Sequence, residues 1–440
     1  MKKDLQNILI TADSANFVKS LSALRKNLSG IAAFDPFSIE GKKVAQIIRD
    51  VTKQGDKAVS RYTQAFDKVR LTPAQFKINA GALKAAHKNI DKKLLASIRK
   101  AIANVKKYQQ NIFIGKNKSF GSTGIKYSPI NRVGICIPGA SAPLPSTVIM
   151  TAVPAQVAGV KEIAVISPPR HNGSIHPTIL ATCYELGIKE VYRIGGVQAV
   201  AAVSFGTKTI KPVDMIAGPG NQWVSTAKKM VYGKVKIDSI AGPSEVLIIA
   251  DKNSNPAYLA ADMLSQAEHA PGSAVLFTDS KTLANNVIEQ LNKQLELLPR
   301  KTQALDVLKK YSLVAVFKSI AQCIDWANCF ATEHLQIQCG ETNKKIAEKI
   351  ENAGAIFIGQ YSPVAVGDYW AGPSHTLPTG GCARFSSALT SNDFIKSTSI
   401  IEYKKDMLKK SADDIIRLAD AEGLGAHANS VKIRFQTDNG

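Results

Sequence analysis

The sequence predicts an α/β protein with two layers of parallel β-sheet, helices on the sheet faces, and helical segments toward both ends. Three observations carry this expectation. From about residue 130 to 232, an apolar run, a glycine turn and a helix-periodic stretch follow one another three times. That is the pattern of a parallel sheet covered by helices. From about 240 to 358, apolar runs of strand length alternate with amphipathic stretches a second time. Before residue 115, apolar residues recur mainly at helical spacing.

In order, FVKSLSALRKNL, GKKVAQIIRDVTKQG and ALKAAHKNIDKKLLASIRKAIANVKKY read as helices. No chemistry is evident in them, so they are expected to form an accessory or dimerising layer. RVGICIP is a strand, GASAPLPS a turn and TVIMTAVPAQVAG a small-residue helix. The strand KEIAVISPP follows, then EVYRI with the GG turn and helix VQAVAAVSFG, then VDMIA with the GPGN turn and helix QWVSTAKKMVYG. Ligands of such sheets bind at the carboxyl ends of the strands. The second layer opens with SIAGPSEVLIIAD and a helix ending at MLSQAEHAP. It continues through SAVLFTD, KTLANNVIEQLNKQL, SLVAVF, SIAQCIDWANCF, ATEHLQIQ, a helix near 343–353 and AIFIG. SADDIIRLADAEG is a helix before a basic tail. No repeat of fixed period stands out.

The 440 residues suffice for two or three domains with real cores. Hydrophobic residues at 45% and charged ones at 21% are those of an ordinary globular protein. No run reaches the roughly 18 apolar residues of a membrane span. The start, MKKDLQNILITADS, carries no signal-peptide pattern. The six Cys include no C-x-x-C pair, so neither a disulfide framework nor a cysteine zinc site is expected. The expected compartment is the cytoplasm. A net charge of +21 raises the question of nucleic acid, but the lysines lie on polar helix faces without interleaved aromatics. A solvated basic surface, one that also attracts an anionic dinucleotide, is the better reading; neither nucleic acid nor membrane is an expected partner.

Four of the seven His sit in dense polar contexts: SQAEH (His269), ATEH (His334), GPSH (His375) and GLGAH (His427). His87, His171 and His176 do not. Zinc accepts imidazole nitrogen and carboxylate oxygen. A continuing helix through SQAEH would turn Gln266 and His269 to one face. Asp368, in the Gly/Pro-rich VGDYWAGPSH, and His427 could aim at a shared point. Adjacent Glu333 and His334 could act as base and water activator. Neighbours in a continuous strand face opposite ways, so this requires a strand end or bend. The IGGVQA and GPGNQW turns offer helix N-termini for a phosphate, with Gln198 and Asn221 as neutral hydrogen-bonding groups. Most cysteines sit in apolar surroundings and read as packing, with Cys382 less so. Residue types alone leave a metallohydrolase open beside a dehydrogenase. The glycine-turn layer argues for the dinucleotide enzyme, and a nucleic-acid module ranks last.

The stretches IPGASAPLPSTVIM, GGVQAVAAVSFGT, DMIAGPGNQWVSTAKKMVYG, DSIAGPSEVLIIAD, MLSQAEHAP, ATEHLQIQ, GPSHTLPTGGCARFSS and AEGLGAHANSVKIR resemble, in order, those of the histidinol dehydrogenases. The resemblance runs from about residue 120 to 435. It implies two Rossmann-like/aldehyde-dehydrogenase-like α/β domains plus small helical N- and C-terminal segments. The implied boundaries are 1–30 for the N-terminal segment, 31–135 with 244–388 for a discontinuous domain carrying most of a zinc site, 136–243 for an NAD-binding domain, and 389–440 for a C-terminal segment reaching a partner subunit. It further implies a cytoplasmic homodimer with sites shared between subunits, one Zn2+ per subunit, and oxidation of L-histidinol to L-histidine through the aldehyde with two NAD+. Carried over, the zinc ligands are Gln266, His269, Asp368 and His427, and the acid/base pair is Glu333 and His334. Ser244 and Glu422, with His334 and the zinc ligands, match substrate contacts; Gln198 and Asn221 match cofactor contacts. Cys136 stands where the family usually has a Tyr packed on the cofactor.

Overall fold

The computed structural model describes residues 5–31, 35–139, 143–240, 242–269 and 272–436. The Ala140–Ala142 part of the GASAPLPS turn, Ala241 of SIAGPSE and the Ala270–Pro271 end of SQAEHAP lie outside them. The chain divides into two units. The first comprises residues 1–113 and 129–394, the second 114–128 and 395–440.

The first unit holds two parallel sheets. A five-stranded sheet takes the spatial order Glu190–Tyr192, Glu162–Ile166, Arg132–Cys136, Met215–Ala217, Lys236–Ile237. Among the described residues, every strand pairing within it is parallel. A six-stranded sheet takes the order Leu9–Thr11, Leu313–Val316, Gly272–Thr278, Ser244–Ala250, His334–Gln338, Ala355–Ile358, and it too is parallel throughout. The two α/β layers expected from the alternation are therefore present. All five residues of Arg132–Cys136 are buried, as the continuous apolar run of a two-sided central strand requires.

The six-stranded sheet sorts its side chains by parity. Leu247, Ile249, Val275, Phe277, Leu335 and Ile337 pack with helices Phe17–Ile31 and Ile320–Phe330. Val246, Ile248, Ala250, Ala274 and Leu276 pack with helices Pro256–Ala267, Lys281–Leu295 and Lys301–Tyr311. In HLQIQ the apolar Leu335 and Ile337 belong to the first core, so His334, Gln336 and Gln338 alternate with them and face the other way.

Helices Ile39–Gln54 and Asp56–Asp67 pack on the five-stranded sheet. Ser38 caps the first, its side chain accepting from the Gly41 N–H, and Gly41, Val44, Ile47 and Val51 form its buried stripe. This departs from the expected grouping of 31–135 with 244–388, because residues 39–67 and the strand Arg132–Cys136 share the other core. The N-terminal segment is also not wholly helical: Leu9–Thr11 adds a parallel edge strand against Val314–Val316. Helices Pro177–Glu185, Lys301–Tyr311 and Gly425–Lys432 form where none was expected. The helix expected near 343–353 stops at Ala347.

The second unit contains a three-stranded sheet in the order Ile395–Ile401, Thr123–Pro129, Lys118–Phe120, with helices Lys405–Ala421 and Gly425–Lys432. Among the described residues, no helix is long and apolar enough to cross a membrane, and all six cysteines are free thiols.

Candidate active site

At the carboxyl ends of the five-stranded sheet lies a cleft of about 740 Å³. Its wall includes Cys136, Gln198 and Asn221, the three expected cofactor contacts. Two helices begin here. Gly195 caps Gly196–Phe205, and Asn221 caps Gln222–Val231, its side-chain oxygen accepting from the Val224 N–H at 3.2 Å. The unsatisfied N–H groups of two helix starts suit an anion. Gly218 has a φ of +100°, and a Cβ there would meet the Cys136 carbonyl oxygen at 2.4 Å, so only glycine lets this turn close on the strand. Beneath it, Lys228 is buried, ion-paired to Asp238, and donates to the Gly218 carbonyl at 3.0 Å. Asp238 in turn accepts from the Gly218 N–H at 2.7 Å. The turn is thus held from below by both of its backbone groups.

Gln198 is 1% exposed, and neither side-chain polar atom has a partner in the structure. A buried amide without partners is costly, which marks the cleft wall as a place where a polar ligand is met. Cys136 is also buried, and burial pushes its thiol up to about 12, so it is inert packing at pH 7. Part of the wall comes from a region in which the sequence showed no chemistry. Lys43, Gln46, Ile47, Tyr62, Phe66 and Asp67 line the cleft. The only sequence signal was the i, i+4 aromatic pair in RYTQAF, whose rings stack at 5.6 Å.

The second centre lies at the amino ends of the six-stranded sheet. The strand His334–Gln338 begins at His334, so Glu333 precedes it at a strand end, where both side chains can serve one site. Glu333 and His334 are 6% and 3% exposed. The Glu333 carboxylate lies 3.4 Å from His334 Nδ1 and accepts from the Glu245 N–H at 2.8 Å. His334 Nδ1 is 2.9 Å from the Glu245 carbonyl oxygen. A carbonyl only accepts, so Nδ1 carries the proton and donates, which leaves Nε2 as the basic nitrogen. Nε2 has no hydrogen-bond partner and stands 3.6 Å from Asp368 Oδ1. Burial disfavours the imidazolium, but Glu333 and Asp368 outweigh it and raise His334 to about 10. At that value Nε2 is also protonated at pH 7; part of the pull is Asp368's, so Nε2 becomes free to accept a proton only when the Asp368 charge is compensated, as a bound cation would do.

Asp368 sits on the short helix Val364–Tyr369 rather than in an open loop. Burial works against its carboxylate, but His334, His375 and His269 prevail and hold it below the usual range. His375 Nδ1 lies 3.2 Å from the Asp368 carbonyl oxygen, and its Nε2 lies 3.4 Å from Thr147 Oγ1. Ser374 Oγ donates to the Met150 carbonyl at 3.0 Å. Two side chains thereby fasten the loop after Asp368 to the helix Pro145–Val157. Ser244 opens the strand next to His334–Gln338.

Helix Pro256–Ala267 ends one residue after Gln266, so His269 lies in the following turn and its N–H donates to the Gln266 carbonyl at 3.2 Å. The expected i, i+3 helical face is thus replaced by a helix end followed by a turn. Gln266 is 2% exposed and its amide oxygen has no donor. An orphaned buried amide oxygen, an exposed imidazole and the Asp368 carboxylate, close enough to feel that imidazole, are donor types that zinc accepts. Among the described residues, no three His, Cys, Asp or Glu side chains gather into a metal group. Of the four expected ligands, one is a Gln and another, His427, belongs to the second unit. There, Glu422 follows helix Lys405–Ala421, His427 lies on helix Gly425–Lys432, and both are exposed.

Sequence comparison matches residues 37–435 to the histidinol dehydrogenase family. The chain is 46% identical over 398 residues to a histidinol dehydrogenase of Prochlorococcus marinus (strain MIT 9312), covering 89% of this chain and 90% of that one. It is 45% identical over 401 residues to that of Oceanobacillus iheyensis, covering 90% and 93%. The crystal structure of histidinol dehydrogenase from Elizabethkingia anophelis superposes with a TM-score of 0.88 at 37% identity, over 97% of each chain. An acetylating aldehyde dehydrogenase from Geobacillus thermoglucosidasius shares the fold at 12% identity and a TM-score of 0.50, over 89% and 98%. With family-wide sequence agreement along nearly its whole length and the same fold, this chain belongs to the histidinol dehydrogenase family of oxidoreductases.

Proposed function

We propose that this protein oxidises L-histidinol to L-histidine in two successive hydride transfers to NAD+, acting as a zinc-dependent homodimer in the cytoplasm. The observation that carries the reading is one buried cluster. It sets the Glu333–His334 pair beside Asp368, whose carboxylate also feels the His269 imidazole. Gln266, His269 and Asp368 would hold the metal, with His427 of the other subunit completing the set. When bound, zinc would hold the substrate's imidazole and amine, having no redox chemistry of its own. NAD+ in the cleft of Cys136, Gln198 and Asn221 would accept the hydride in both steps.

The chain's own groups move the protons. In the first step His334 Nε2 takes the hydroxyl proton as the carbinol hydride leaves, giving the aldehyde. In the second step Glu333 takes a proton from a water that adds to the aldehyde carbon, while His334 gives its proton to the aldehyde oxygen, so the hydrate forms and His334 is a base again. His334 then takes a hydroxyl proton of the hydrate as the second hydride leaves, giving the carboxylic acid, which ionises to the carboxylate. Glu245 keeps Nε2 basic by fixing the tautomer. Ser244 and Glu422 would contact the substrate. The test is the yield of reduced cofactor per histidinol, measured alongside metal content. Two NADH per substrate and one zinc per subunit are expected; a metallohydrolase produces no NADH at all.

A further inference from the structure

We propose that Glu245 is the positioning residue of the Glu333–His334 centre and that it works with a protonated, uncharged side chain. The role assigned to that centre rests on the function proposed above. Residue 245 touches both catalytic residues and a glycine turn. Its N–H donates to Glu333 Oε2 at 2.8 Å, its carbonyl accepts from His334 Nδ1 at 2.9 Å, and its Oε1 accepts from the Gly380 N–H at 2.9 Å. The backbone aligns both catalytic side chains, and the side chain ties that backbone to the 379–381 turn. If the residue shifts, acid/base geometry is lost at both partners together.

The protonation state follows from what surrounds the side chain. Glu245 is 3% exposed, and among the described residues no cation lies within ion-pair distance of it. The groups that face it are Glu333 and His334 from one strand, the Gly380 backbone, and Cys382 beyond, against which Lys229 lies. Two carboxyls sharing one buried shell do not both ionise at neutral pH. Glu245 keeps the proton although its carboxyl meets two backbone N–H groups, those of Gly380 and Glu333, because burial and the neighbouring Glu333 carboxylate outweigh them. Burial first, then the Glu333 charge, raise it from 4.5 to about 8. Below that pH, Glu333 faces a neutral neighbour. Above it, a second negative charge appears beside the group that must activate water.

A carboxyl whose folded value lies above its unfolded value stabilises the native state fully below the unfolded value. That contribution is lost as pH rises through the folded value. Wild type should therefore lose stability relative to Glu245→Gln between pH 4.5 and about 8, and run parallel to it above. Thermal melts of the full chain across this range need no substrate, so they decide the protonation state even if histidinol proves not to be a substrate. Parallel melting curves throughout overturn it. In turnover, Glu245→Leu should lose about tenfold in kcat, the size of one buried hydrogen bond. Glu245→Gln, an uncharged isostere that still accepts from Gly380, should recover most of that loss at pH 7 and lack the wild-type decline near pH 8. A Gln variant as slow as Leu, or one that fails to fold, overturns the proposal, because the native side chain would then need its charge.

Discussion

The two sheets of the first unit use opposite ends. The five-stranded sheet opens its carboxyl ends into a cleft with glycine turns, two helix starts and one buried, unpartnered amide. The six-stranded sheet gathers Ser244, Glu245, Glu333 and His334 at its amino ends. The rule that parallel sheets bind ligands at strand carboxyl ends points to the first of these places and would not point to the second. The physical difference lies in what each end must hold. A phosphate-bearing ligand needs N–H groups, and helix N-termini supply them just after the strands. Acid/base side chains need fixed acceptors and donors, and here the first peptide groups of a neighbouring strand supply them: Glu245 N–H and C=O.

The largest expected effect separates the half-reactions. If Glu333 acts only on water, Glu333→Gln should slow aldehyde oxidation by at least about 10²-fold and alcohol oxidation far less. Supplying histidinol and histidinaldehyde separately measures both. Equal losses would remove the division of labour at the amino-end centre.

Next comes the question of whether that centre is complete within one chain. His427→Asn and His269→Asn dimers should each be nearly inactive and poor in zinc. After co-refolding, half the dimers are mixed, and each mixed dimer has one intact site of two. Activity should return to about a quarter of wild type if sites are shared between subunits. A mixture as inactive as its parents, with heterodimers verified by mass, places His427 in its own subunit's site.

A third experiment probes the non-chemical end of the five-stranded sheet. Arg132 is buried at the amino end and bridges Glu162 at 2.6 Å and Glu190 at 2.7 Å. Arg132→Met should lower stability by about 1–3 kcal/mol while leaving the KM for NAD unchanged. Arg132 holds Glu190 down at about 2. A depressed carboxylate contributes stability present above the unfolded value of 4.5 and lost as pH falls through about 2. The variant should therefore show a shallower acid limb in that window. A changed NAD affinity would mean the two ends of this sheet are coupled.

The smallest effect concerns Cys136. The thiol contributes little stacking area, so wild type should bind NAD no more tightly than Cys136→Tyr, within a few-fold. Isothermal titration of both proteins measures it. Clearly weaker binding by the Tyr variant would show a cleft wall rebuilt around the smaller side chain.

Much of this architecture could be read before any coordinates. Alternation of apolar runs with helical stretches announced two α/β layers, because burial on both strand faces leaves an unbroken apolar run. Motif chemistry singled out Gln266, His269, Glu333, His334 and Asp368. The strand Leu9–Thr11 escaped notice because three residues carry too little period to register, and it exists only by pairing with Val314–Val316. Helices Ile39–Gln54 and Asp56–Asp67 looked like an accessory layer, since nothing in an amphipathic stripe names the sheet it will cover.

By itself the sequence determined the periodicities, the glycine turns, the absence of paired cysteines and the residue types available for catalysis. All of these are local, set by one stretch of chain and its own side chains. Tertiary structure decided at which end of each sheet the candidate residues gather, that Tyr62 and Asp67 wall the cleft, and that Glu245 stands between Glu333 and His334. Glu245 is 88 residues from Glu333 along the chain. Only strand pairing puts its peptide against that carboxylate, and a hydrogen bond between backbone and side chain at such separation leaves no pattern in either local stretch.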